Sequence, residues 1–205
     1  MLFMDSLGKI DAEPPKVSIL DHGFLFGDSI YEVPCTGSDG KSRKGIIKAV
    51  FSGSWNVPGT VVTHYLQNYY VNGIKFEGQV AVTRSTNTFT QVVTGGKCSK
   101  DSWNIQWGSN RTITSLVGDS LNPFDDVCLI TGSASGTNRN NKAFSVDIDP
   151  NNALRREVGC PYIVKGIQTV KIQGKKDRTI DYGQGTCDNI AILTIDGNEF
   201  QFELQ

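Results

Sequence analysis

Three features of the sequence point to an antiparallel all-β domain. Short runs rich in Val, Ile, Thr, Tyr and Phe alternate with turn residues from Pro34 onward. Asn72-Gly73 and Asp196-Gly197 each separate two such runs, the strongest short hairpin signal that a sequence carries. No window of about 12 residues combines a helical period with caps. About ten strands are expected, as a meander, sandwich or open barrel of long hairpins with a short N-terminal appendage.

The strands can be justified in order. Ile46 to Phe51 forms one run and meets the turn Trp55-Asn-Val-Pro-Gly59. Thr60 to Leu66 follows, and Tyr69 to Val71 leads through Asn72-Gly73 into Ile74 to Thr83. Asn87 to Thr94 ends at Gly95-Gly96. Trp103-Asn-Ile-Gln-Trp107 alternates with period two, which puts both tryptophans on one face. Val127 to Ala134 and Lys142 to Ile148 flank the turn Asn138-Arg-Asn-Asn141. Tyr162 to Gln173, Arg178 to Tyr182, Ile190 to Ile195 and Glu199 to Leu204 follow. In the last of these Phe200, Phe202 and Leu204 alternate with Gln201, Glu203 and Gln205, the pattern of a half-buried strand. The one helical stretch expected is Asn151-Asn-Ala-Leu-Arg-Arg-Glu157, about two turns long.

Composition narrows the function classes. Twenty Lys and Arg against 21 Asp and Glu leave a net charge of −1 in 205 residues. Such a balance gives no strong attraction to nucleic acid or to an anionic membrane. No apolar run is long enough to span a bilayer as a helix. Residues 1–33 lack a basic start and a long apolar stretch, and the first cysteine is Cys35, so neither a secretory signal nor a lipid-anchoring Cys is expected there. The texture changes at Val33–Pro34, which divides an appendage, residues 1–33, from a β-rich domain, residues 34–205.

Two resemblances cover different stretches. Val17-Ser-Ile-Leu-Asp-His-Gly-Phe-Leu-Phe-Gly-Asp-Ser-Ile-Tyr-Glu-Val33 resembles the N-terminal segment of fold-type IV pyridoxal-phosphate aminotransferases. That resemblance implies that Tyr31, and with it His22, belongs near a cofactor pocket. The chemistry also needs a Schiff-base lysine, an acidic partner for the ring nitrogen and donors for the phosphate. Lys142, Lys165 and Lys171 lie on or beside alternating strands, and none stands in that family's lysine context. A fragment of such an aminotransferase is the rival reading of the chain, but with these groups missing no cofactor and no catalytic residue is expected. The second stretch, residues 34–205, is similar to β-rich lipoproteins and secreted proteins of Bacteroidota. It carries Cys35-Thr-Gly-Ser-Asp-Gly-Lys-Ser-Arg-Lys-Gly-Ile-Ile47, Asn68-Tyr-Tyr-Val-Asn-Gly73, Ile130-Thr-Gly-Ser-Ala-Ser-Gly-Thr-Asn-Arg139 and Ile180-Asp-Tyr-Gly-Gln-Gly-Thr-Cys-Asp-Asn189 in order. That similarity implies an extracytoplasmic, non-catalytic domain of structural or surface-binding type, an apparent fusion across residues 33 and 34.

Candidate sites are few. The five cysteines show no Cys-x-x-Cys spacing, so a zinc knuckle is not expected. Cys128, in Val127-Cys-Leu-Ile130, suits an apolar packing role. Cys35, Cys160 and Cys187 flank Gly or Pro turns and could supply a disulfide in an exported protein. His64, in Val61-Val-Thr-His-Tyr65, fits a surface or half-buried strand position rather than a ligand or base. Asp147-Ile-Asp-Pro-Asn151 begins like a calcium loop but lacks the later Gly and Glu, which leaves an Asp- and Asn-rich turn and no metal. Asp125 and Asp126, adjacent on a strand, would face opposite ways. Trp103 and Trp107, about 13–14 Å apart, could line a face for an extended glycan, while core packing is the simpler reading. A cell-surface glycan or protein is the partner class in view.

Overall fold

The computed structural model describes residues 28–37, 40–119 and 122–204. Thirteen strands form one antiparallel sheet. They are β1 (Asp28–Thr36), β2 (Ser42–Phe51), β3 (Val61–Val71), β4 (Ile74–Arg84), β5 (Thr88–Lys100), β6 (Trp103–Asp119) and β7 (Asn122–Thr137). Then come β8 (Ala143–Ile148), a 3₁₀ turn (Pro150–Asn152), β9 (Leu154–Glu157), β10 (Ile163–Ile172), β11 (Arg178–Gln184), β12 (Ile190–Ile195) and β13 (Asn198–Glu203). The all-β, hairpin-built class read from the sequence is the class observed. The strand count exceeds ten because β1 and β9 carry little apolar alternation, and β6 is longer than expected because it runs on through the polar stretch 108–119.

Nearly every strand pairs with its chain neighbours. The exception is one broken lane. β8 and β9 lie end to end between β7 and β10, and both pair with both. Asn151–Glu157 is thus not a two-turn helix. Pro150 opens a single 3₁₀ turn capped by the Asp149 side chain, which accepts from the Asn151 N–H, and Leu154–Glu157 is strand. Pairing with two long neighbours outweighs the weak helical propensity of so short a segment.

Register and alternation divide the sheet into two faces. Phe89, Ile113 and Ile130 stand opposite one another across β5, β6 and β7, and Ile130 stands opposite Leu154. Ile113, Ile130, Ile148 and Leu154 form the buried cluster, with Phe89, Cys128, Ile163 and Tyr182 packed against it. This is the inner face. Tyr182, on β11, feels the charge of Arg111 on β6, four lanes away. Flat spacing would hold those lanes roughly 19 Å apart, so the sheet rolls toward its apolar side. The β2–β3 loop covers one end of the roll. Its Trp55 stacks on Phe89 with ring centroids 5.8 Å apart, and its carbonyl accepts from Arg84 Nη1 at 2.8 Å.

A line of register shifts crosses β2 to β6. Two glycines show why small residues mark it. Gly45 and Gly78 have φ of 108° and 110°. A Cβ on Gly45 would collide with the Asn68 carbonyl, and one on Gly78 would lie 2.6 Å from the Gly95 oxygen. Only glycine fits such bulges, which increase local twist and bend the sheet. β1 also runs through residues 33 and 34, where the sequence changes texture. Pro34 lies in an edge strand, where a missing N–H removes no ladder bond, and the β1–β2 register shifts between Tyr31 and Cys35.

Candidate functional site

Two surfaces have the makings of a binding site, one at the far end of the inner face and one on the outside of the broken lane. At the first, the unbroken β6–β7 register places Trp103, Ile105 and Trp107 on the same side as Arg111 and Ile113. The Trp107 ring covers Gly96, where a Cβ would lie 2.8 Å from it. Trp103, near the β5–β6 turn, is half-buried, and the exposed Arg139 places its guanidinium 5.3 Å from the ring centroid. The Asn138 side chain accepts from the N–H groups of Asn140 and Lys142, fixing the turn that carries Arg139. The tryptophan pair is therefore part packing and part accessible surface.

The cysteines fall into distinct settings. Cys160 and Cys187 form a disulfide that ties the segment between β9 and β10 to the β11–β12 loop. Cys160 and the neighbouring Val164 are buried. Cys35 is exposed and free. Cys128 packs against the core cluster, and burial pushes the Cys98 thiol up from its ordinary value. His64 is half-buried on β3, and desolvation lowers its pKa despite a bond to the Val80 backbone. Among the described residues no group of three or more His, Cys, Asp or Glu converges. Asp149 serves as the cap of the 3₁₀ turn, and the side chains of Asp125 and Asp126 lie outside the described residues, as does all of His22. Tyr31 stands opposite Gly45 in the β1–β2 pair.

The second surface is a groove of about 360 Å³ on the outer face. It exists because β8 stops at Ile148 and the chain leaves the sheet as the 3₁₀ turn before β9 resumes the lane. Leu129 and Ile167 line it from the flanking strands, with Leu116 on its rim side half exposed. Arg155 and Lys165 line it as direct cross-strand partners. A bulge at Val164 makes this possible. Ile163 packs against the core, and two residues later Lys165 is exposed. Without the bulge, strict alternation would set Ile163 and Lys165 on one face. The sequence signal for the groove was Pro150 and the Asn151-Asn152 pair interrupting an otherwise strand-like stretch.

No known protein family, curated protein or solved structure matches this chain. The surfaces themselves thus carry the functional argument.

Proposed function

We propose that this chain is a non-catalytic, extracytoplasmic β-domain that works by binding at a cell surface. The observation that carries the reading is the Cys160–Cys187 disulfide. Structural disulfides form and persist in oxidising compartments and are rare in reducing ones. The test is peptide mapping, without reductant, of the protein recovered from fractionated native cells. A cross-linked Cys160–Cys187 peptide in the extracytoplasmic fraction is expected. Recovery from the cytoplasm with both thiols open to alkylation would discard the reading.

A second reading, carbohydrate binding, draws on the shared face of Trp103 and Trp107. Aromatic rings and an adjacent guanidinium suit the apolar faces and hydroxyls of a polysaccharide. Titration with soluble polysaccharides should then shift tryptophan fluorescence, and Trp103→Ala should remove most of the shift. A shift that survives in the double variant Trp103→Ala with Trp107→Ala would place its source at Trp55.

A further inference from the structure

The groove at the broken lane carries an arrangement that the fold alone does not favour. Lys165 and Arg155 are direct partners across β9 and β10. Like charges set directly opposite each other in a sheet repel. Arg155 is steadied through Nε by Glu157 at 2.8 Å, a contact that leaves its two terminal nitrogens outside the bond. Among the described residues no carboxylate reaches ion-pair distance of the exposed Lys165 ammonium. Asp181 also lines the groove, with Oδ1 accepting from the Gly183 N–H at 2.8 Å. With Glu157 on Arg155 counted, two cations and two carboxylates leave the groove near neutral, which admits a monoanion at the unpaired Lys165 ammonium and opposes a dianion. Asn151, Asn152 and Gln184 add side-chain amides, the donors and acceptors that hydroxyl groups need. Leu129 and Ile167 add an apolar wall. A volume of about 360 Å³ accepts a ligand of roughly one sugar ring.

We infer that this groove binds a hydroxylated monocarboxylate of monosaccharide size, the chemistry of a hexuronic acid. The carboxylate pairs with Lys165 and with the terminal nitrogens of Arg155 that Glu157 leaves outside its bond, the amides of the 3₁₀ turn take the hydroxyls, and the ring lies on Leu129 and Ile167. The site lies on the outer face, opposite to the tryptophans, and stands whether or not those bind glycan.

The test is saturation-transfer NMR and calorimetry on the full chain, with sodium glucuronate and glucose as probes. Glucuronate should bind at least about tenfold more tightly than glucose. Lys165→Gln and Arg155→Gln should each weaken glucuronate by about tenfold or more, with folding checked by circular dichroism. Lys171→Gln is the control. It alters another outer-face cation of β10, one already paired with Asp177 at 3.2 Å, and should leave the affinity unchanged. Equal binding of glucose, equal losses for Lys171→Gln and Lys165→Gln, or no saturable glucuronate binding by the wild-type chain would each overturn the assignment. Should Arg155→Gln unfold, Lys165→Gln alone decides, since that side chain is exposed.

Discussion

Gly78 and His64 show what single residues contribute. Gly78 combines a left-handed φ with a neighbouring backbone where its Cβ would go. Gly78→Ala should lower stability by about 3 kcal/mol, from strain and collision together. Gly53→Ala should be nearly neutral, because its Cβ would meet only the Thr60 hydroxyl at 3.5 Å. Urea denaturation of the two variants checks the contrast. His64 is held below its ordinary pKa of 6.5 by burial. As pH falls, the unfolded chain takes up that proton before the folded one. The stability linked to His64 is therefore complete above about pH 6.5 and is lost progressively below it. Melting temperatures measured from pH 7.5 to 5.5 should fall, and His64→Gln should flatten the dependence. The strand setting of His64, at the surface or half-buried, was legible in the sequence, and the structure takes the half-buried one. The role of Gly78 was not: a glycine in a strand signals a bulge somewhere, but its clash partner sits on another strand.

Among the elements, the hairpins were the most legible and the broken lane the least. Asn72-Gly73 and Asp196-Gly197 carry their turn geometry locally, and both residues of each pair have positive φ. β9 could not be read in the same way. Its four residues, Leu154–Glu157, become strand through pairing with β7 and β10, a long-range fact. The same holds for Lys165 and Arg155, whose register across that lane makes the groove. The disulfide is a tie between elements, linking positions 27 residues apart. Cross-linking a loop of this size stabilises by about 3 kcal/mol in the chain-entropy account. Cys160→Ser with Cys187→Ser should lower the melting temperature by on the order of 10 °C. Reductant should reproduce that shift in the wild type and leave the double variant unmoved, as calorimetry can show.

For the molecule as a whole, the all-β class was evident from turns and alternation, while the rolled shape was not, because rolling follows from register shifts that leave faint marks in sequence. The roll leaves an open edge at β13. Its Phe200 is 53% exposed, and its backbone offers unpaired ladder groups to any passing strand. Glu199 and Glu203 flank that apolar pair. In an antiparallel self-pairing centred on Gln201 they would face each other as like charges, which opposes dimerisation. Replacing both with Thr should increase self-association at equal concentration, visible by analytical ultracentrifugation. A variant that associates no more than the wild type would place the protection of this edge elsewhere. The chain-order topology also governs how the molecule comes to be. Each lane from β1 to β7, and again from β10 to β13, is completed by the stretch of chain that follows it, so the entropy of closing long loops is largely avoided. A chain emerging from its N-terminus can lay down its sheet one hairpin at a time. The broken lane is the one step that is not a single hairpin, since β8 and β9 must both lie against β7 before β10 closes over them, and Cys160 can meet Cys187 only after β11 has arrived.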